Sequence, residues 1–219
     1  MGATLVGGLF PDDVAVVVSE IGDVTSELLA DEAAHVAKAV PKRQREFARG
    51  RVNARQALGE LGVAGVSLLV GSMREPLWPE GIVGSITHDN RLCVVAVARG
   101  ERYAGLGVDI EPAEPLEPEI AARIWSPVEA EQAARRTDMT PALASRLVFS
   151  AKEAFYKCQF PLTRTFLGFM EVSVALGDGT FEVRLERAVG AFPDGTRFAG
   201  RWRRADGQLL TAVSLPRSA

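Results

Sequence analysis

With 219 residues, 47% of them hydrophobic, the chain is long enough to bury one large core or two small ones. Its 25 basic and 28 acidic residues leave a net charge of −3, which argues against a general nucleic-acid binder. Two cysteines and two histidines exclude a disulfide framework and a His-rich metal cluster.

Residues 14–18 read as a buried strand, and 26–39 as a helix capped by Ser26 or Thr25. Pro41 opens a second helix that runs to about Leu61 and stops at Gly62. A short strand is expected at 66–70, followed by a stretch from Gly71 to Gly81 too punctuated for regular structure. Strands follow at 82–86, 92–99 and 104–111. Residues 112–118 carry three prolines and begin a new segment. Helices are expected at 119–124, 126–136 and about 140–159. The last has an apolar stripe of Leu143, Leu147, Ala151, Ala154, Phe155 and Cys158. Strands at 170–176, 180–186, 196–204 and 208–215 are separated by Gly-Asp-Gly, Pro-Asp-Gly and Ala-Asp-Gly turns. Each half is thus helical early and stranded late, which predicts an α/β (α+β) fold of two pseudo-symmetric halves, 1–104 and 105–219, with the site between them. The segment Met1 to Val6 lacks a charged leader start, and no apolar run spans a bilayer, so a soluble cytoplasmic protein with no membrane partner is expected. Cys93 and Cys158 read as small core residues in a reducing compartment.

Two segments carry the chemistry. In Gly107-Val108-Asp109-Ile110-Glu111 the alternation of a strand puts Asp109 and Glu111 on one side. In Lys152-Glu153-Ala154-Phe155-Tyr156-Lys157 a helix puts Glu153 and Lys157 one turn apart on one face. Either pair alone would be an ordinary solvated one. Together they can bring three carboxylates and an ammonium to one point. Oxygen-only ligands suit Mg²⁺, with room left for substrate phosphates, and a lysine beside such an ion is the usual accessory of phosphoryl chemistry. Gly105-x-Gly107 is no dinucleotide fingerprint, because the third glycine and the following helix are missing. Gly84-Ser85-Ile86-Thr87-His88 ends a strand with a hydroxyl and an imidazole. Lys42, Arg43, Arg45, Arg49, Arg51 and Arg55 stand against the single acid Glu46. They make either a solvated face or a local phosphate site, Arg43 and Arg51 lying roughly on one side.

Taken in order, Arg-Glu-Pro-Leu-Trp-Pro (74–79), Gly-Ser-Ile-Thr-His (84–88), Gly-Val-Asp-Ile-Glu (107–111) and Phe-Ser-Ala-Lys-Glu-Ala-Phe-Tyr-Lys (149–157) resemble the Sfp-type 4′-phosphopantetheinyl transferases. The resemblance is to the branch like enterobactin synthetase component D found in actinobacteria. Pro41-Lys42-Arg43 and the segment Pro161 to Phe169 extend it. It implies the phosphopantetheinyl transferase fold, coenzyme A as substrate, apo acyl, polyketide or peptidyl carrier proteins as partners, and adenosine 3′,5′-bisphosphate as product. It further implies Mg²⁺, with Mn²⁺ as the alternative ion, held by Asp109, Glu111 and Glu153. Lys157 would sit beside the bridging oxygen and Lys152 on phosphate. Arg43, Arg51 and His88 would hold the 3′-phosphate. Thr87 and the loop of Val70, Gly71, Ser72, Met73 and Arg74 would line the adenosine pocket, and Leu167 the pantetheine channel. Val70 and Met73 stand where some relatives carry lysine. Glu153 and Lys157 are the expected catalytic pair in a monomer. The competing expectations are a non-catalytic coenzyme A-binding or carrier-binding module of the same fold and a Mg²⁺-dependent phosphohydrolase.

Overall fold

The computed structural model describes residues 5–217, so Met1–Thr4 of the segment read for a leader lie outside it. Strands β1 (Ala15–Glu20), β2 (Ile82–His88) and β3 (Leu92–Arg99) form an antiparallel sheet in the order β1-β3-β2. Strands β4 (Tyr103–Pro112), β5 (Val172–Leu176), β6 (Thr180–Leu185), β7 (Arg197–Ala205) and β8 (Gln208–Pro216) form a second, in the order β4-β8-β7-β6-β5. The α-helices that lie wholly within the described residues are α1 (Ala30–Val36), α2 (Pro41–Glu60), α3 (Pro118–Ile124), α4 (Pro127–Ala134) and α5 (Pro141–Thr163).

The near-continuous apolar run of β3 follows from burial on both faces. Cys93, Val95 and Val97 pack with Ala54, Ala57 and Leu58 of α2. The alternate residues Val94, Ala96 and Ala98 pack with Leu106, Val108 and Ile110 of β4. The first sheet is therefore sandwiched between its helix and the second sheet. The facing edges of β2 and β4 are tied by side chains, with Val108 N donating to Ser85 Oγ (3.1 Å) and Ile110 N to Thr87 Oγ1 (3.4 Å). Those hydroxyls satisfy edge amides that would otherwise be buried unpaired.

The other face of β4 is where α5 lies. A Cβ on Gly107 would stand 1.8 Å from Ala154 O, and one on Gly105 would stand 2.6 Å from Cys158 O, so only glycine permits this approach. Two strand residues rise about 6.7 Å and four helical residues about 6 Å. The two elements therefore keep step as they run in opposite directions. Gly105 meets Cys158, Gly107 meets Ala154, Asp109 meets Ser150 and Glu111 meets Arg146.

Elsewhere the elements fall within a few residues of the sequence expectation, with three corrections. The helix expected at 26–39 is a 3₁₀ turn at Thr25–Glu27, two extended residues, and α1. The Thr25 hydroxyl is spent on Asp23, and α1 starts where Glu32 accepts the Leu29 N–H at 3.1 Å. The expected strand at 66–70 is irregular. Buried Leu68 gives its N–H to Glu32 and its carbonyl accepts from Arg51, so side chains replace the ladder, and Val70 alone bridges to Pro76. Finally α5 runs past Pro161 and ends at left-handed Arg164 (φ 54°). A proline in the last turn removes only a terminal hydrogen bond. Cys93 and Cys158 are buried and free. No helix among the described residues is long and apolar enough to cross a membrane.

Candidate active site

The junction of β2, β4 and α5 gathers the polar residues of both halves around Asp109. Its Oδ1 accepts from Lys157 Nζ at 2.6 Å and from Thr87 Oγ1 at 3.1 Å, and its Oδ2 accepts from Ser150 Oγ at 2.9 Å. Lys157 also donates to Thr87 Oγ1 (3.1 Å) and Val108 O (3.3 Å). Asp109 is almost wholly buried, and Lys157 keeps part of its surface toward the cleft. A charged pair half out of water holds its geometry without losing access to an incoming anion.

Glu111 sits two residues further along β4, where Arg146 NH1 reaches its Oε2 at 2.8 Å. Burial and the neighbouring Asp109 charge outweigh that arginine and push the Glu111 carboxyl up to about 7. Glu153 is also pushed up, by burial first, against the pull of Lys157 and with the help of Asp109. Two crowded carboxylates with this behaviour are what a hard divalent cation relieves. Among the described residues no group of three or more His, Cys, Asp or Glu is close enough to hold a metal. Asp109 is paired with Lys157 and Glu111 with Arg146. Mg²⁺ uses one or two protein carboxylates and leaves the rest to water and phosphate. The donor set of Asp109 and Glu111, with Glu153 beside them, fits that ion.

A cleft of about 220 Å³ opens from this junction, lined by Arg74, Trp78, Gly84, Ser85, Glu153 and Lys157 among others. Trp78 lies so close on Gly84 that a Cβ there would stand 2.7 Å from its ring. The loop 71–75 is closed by Glu75, which accepts the Met73 N–H (2.9 Å) and pairs with Arg164 of the other half. Met73 and Arg74 are exposed, the latter at φ 68°. At the far side Arg43 NH1 lies 3.3 Å from His88 Nε2, and Glu46 stands 3.8–3.9 Å from both. Burial, only partly opposed by Glu46, holds the His88 pKa below its ordinary value. Arg51 is buried, with Nε on Leu68 O (2.8 Å) and its guanidinium 4.0 Å over the Phe47 ring. Desolvation lowers its pKa to about 10. Arg43 and Arg51 supply the cations of this end, with the His88 imidazole beside Arg43. Thr87, expected to line the adenosine pocket, donates to Asp109 and accepts from Lys157.

Both halves of the chain are similar to known proteins. Residues 31–98 match the 4′-phosphopantetheinyl transferase N-terminal domain, and residues 105–206 match the 4′-phosphopantetheinyl transferase superfamily. The chain belongs to that superfamily. It is 44% identical over 202 residues to 4′-phosphopantetheinyl transferase Svp of Streptomyces mobaraensis, covering 88% of this chain and 80% of that one. It is 39% identical to 4′-phosphopantetheinyl transferase Npt of Nocardia iowensis (82% and 85% covered). It is 32% identical to enterobactin synthase component D of Salmonella typhi (79% and 72%). The chain is therefore a transferase of the phosphopantetheinyl group.

Not every residue read from the transferase motifs lies in the cleft. Lys152 is a correction. Its ammonium is buried and held by Ile124 O (2.8 Å), Phe169 O (2.8 Å) and Glu129 (2.9 Å), which leaves no N–H for a phosphate. Burial lowers its pKa, and Glu129 opposes that. Leu167 lines a small pocket of about 120 Å³ that shares Glu153 and Tyr156 with the main cleft. The sequence reading missed Arg146, Ser150, Glu129 and Thr211. The first two were within reach, since Arg146, Ser150 and Ala154 mark one row of α5 at four-residue spacing. A far larger groove of about 880 Å³, between Leu9–Pro11 and β5–β8, contains none of these residues.

Proposed function

We propose that this transferase moves the 4′-phosphopantetheine arm of coenzyme A onto a serine hydroxyl of apo acyl, polyketide or peptidyl carrier proteins, releasing adenosine 3′,5′-bisphosphate, with Mg²⁺ as its ion. The observation that carries this reading is the Lys157–Asp109 pair at the mouth of a cleft between the two family-matched ranges. One range supplies the cationic end of Arg43, Arg51 and His88. The other supplies Asp109, Glu111, Glu153 and Lys157.

Asp109 and Glu111 would hold the divalent ion, with Glu153 as the third ligand or as the base, and the bound ion neutralises diphosphate charge. The chain's own groups do the rest. The cationic end takes the 3′-phosphate, which places the diphosphate toward Lys157 and Thr87. The carrier serine oxygen forms a bond to the phosphorus nearest pantetheine, and the bridging P–O bond breaks. The serine proton passes to Glu153, which lines the cleft beside Lys157, whereas Glu111 is held by Arg146 and Asp109 by Lys157. Lys157 meets the charge that develops on the leaving phosphate. One polypeptide furnishes both walls, which supports a monomer as the working unit and a division of the chain near residue 104.

Incubation with coenzyme A, Mg²⁺ and an apo carrier, read by intact mass, tests the proposal. The carrier should gain one phosphopantetheine arm. Carrier binding without that gain, or release of inorganic phosphate instead, would overturn it.

A further inference from the structure

Behind Asp109 the polar network runs away from the cleft into the second sheet. Thr211 on β8 is the register partner of Asp109 on β4. Its Oγ1 lies 2.8 Å from Ser150 Oγ and 2.8 Å from Ser150 O. Both Ser150 and Thr211 are fully buried. Neither touches the cleft, and the mechanism above uses neither.

The proton count shows what they do. Ser150 has a single hydroxyl proton, and Asp109 Oδ2 is the charged acceptor within reach, so the proton points there. A serine inside a helix otherwise turns its hydroxyl back to the carbonyl one turn earlier. Thr211 stands on Ser150 from the opposite side and gives its own proton to Ser150 O or Ser150 Oγ, which holds the serine rotamer toward Asp109. On Asp109 itself Lys157 and Thr87 fill Oδ1, and Ser150 occupies one side of Oδ2. A carboxylate accepts at about four positions. One position therefore remains, on Oδ2, and its direction is set by the Ser150 contact.

We propose that Thr211 is a positioning residue for phosphopantetheinyl transfer, acting through Ser150 to fix the rotation of the Asp109 carboxylate and hence the direction of its one free acceptor position. This rests on the reading of Asp109 as a ligand of the ion at the diphosphate. The residue reaches no substrate, so its signature is in ion-dependent binding and not in the recognition of coenzyme A as such.

The test compares Thr211→Val, which keeps the shape and removes the hydroxyl, with Thr211→Ser, which restores it, and with Ser150→Ala. Coenzyme A affinity is measured by calorimetry with and without Mg²⁺, beside the Mg²⁺ dependence of carrier labelling and a thermal melt. Thr211→Val should raise the half-saturating Mg²⁺ concentration by roughly tenfold or more, the range seen when a hydrogen-bond partner of a metal ligand is removed. It should weaken coenzyme A binding only when Mg²⁺ is present. Thr211→Ser should return both quantities to those of the unmodified protein, and Ser150→Ala should show the same two changes as expected of Thr211→Val, which keeps the test in force if that variant does not fold. A lowered melting temperature with unchanged Mg²⁺ dependence in Thr211→Val or Ser150→Ala overturns the inference. Asp109→Asn separates it from the functional reading. If that variant keeps Mg²⁺-dependent coenzyme A affinity, the assignment of Asp109 fails. If it loses it while Thr211→Val does not, only the role of Thr211 fails.

Discussion

The two walls of the cleft are built differently. On the first-half wall Arg43 is exposed and His88 half-buried, with Glu46 nearly 4 Å from both, and Arg51 is buried. On the second-half wall Asp109, Ser150 and Thr211 form a chain of short, buried hydrogen bonds that ends at Lys157. Charge on the first wall is concentrated but loosely held, which suits the capture of a distal phosphate. Charge on the second wall is fixed by buried neighbours that are themselves hydrogen-bonded, which suits a group whose direction decides the reaction. Preorganisation of this sort removes the reorganisation a solvated group would need as charge develops.

The sharpest challenge to that contrast is the buried pair on the reverse of α5. Lys152→Met should destabilise the fold by about 3–5 kcal/mol, because Glu129 is left buried and unpaired. Adding Glu129→Gln should recover part of the loss, since the neutral amide leaves no orphan charge but sets its NH2 against the N–H of Ser126 or Val174. Urea unfolding of the two variants measures this. If Lys152→Met unfolds normally but binds coenzyme A weakly, the lysine faces the ligand after all.

Next in size is Asp109→Asn, which should cut carrier labelling roughly a hundredfold to a thousandfold while the protein stays folded. Near-normal turnover at saturating Mg²⁺ would show that the rigid wall is not where the reaction is run. On the looser wall, Arg51→Ala should raise the KM for coenzyme A by roughly tenfold, the value of a charge-assisted hydrogen bond. It should leave 3′-dephospho-coenzyme A little changed, and equal effects on both would remove Arg51 from the 3′-phosphate.

A separate effect is one of stability with pH. The Glu111 carboxyl lies at about 7 in the fold against an ordinary 4.5, so the folded state binds the proton more tightly. Stability from this group is full below about pH 4.5 and is lost as pH rises through 7. Glu111→Gln should therefore melt at a higher temperature than the unmodified protein at pH 8, and the gain should vanish by pH 4.5. A Gln variant that is less stable at pH 8 would mean that Arg146 holds Glu111 ionised at neutral pH.

Much of this was legible in the chain. Strand alternation put Asp109 and Glu111 on one side, and helical spacing put Glu153 and Lys157 on one face. Both hold, because they are local rules. What spacing does not supply is the direction a face takes. Lys152 and Lys157 are five residues apart, about 140° around a helix, so one enters the cleft and the other the core. The motif quotes both and does not say which is which. The partners of the acids were hidden for another reason. Arg146 and Ser150 matter only because α5 keeps step with β4, and Thr211 only because β8 pairs with β4 in that register. The strand expected at 66–70 failed where Glu32 and Arg51, both remote in sequence, took the backbone groups of Leu68.

The central claim is that the ligand lies across the two walls, and a crystal structure with coenzyme A and Mg²⁺ tests it most directly. It should show the diphosphate at Lys157 and Thr87, the ion on Asp109 and Glu111, and the 3′-phosphate at Arg43, Arg51 and His88. Coenzyme A seated instead in the larger groove beside Leu9–Pro11, away from Asp109, would contradict the account.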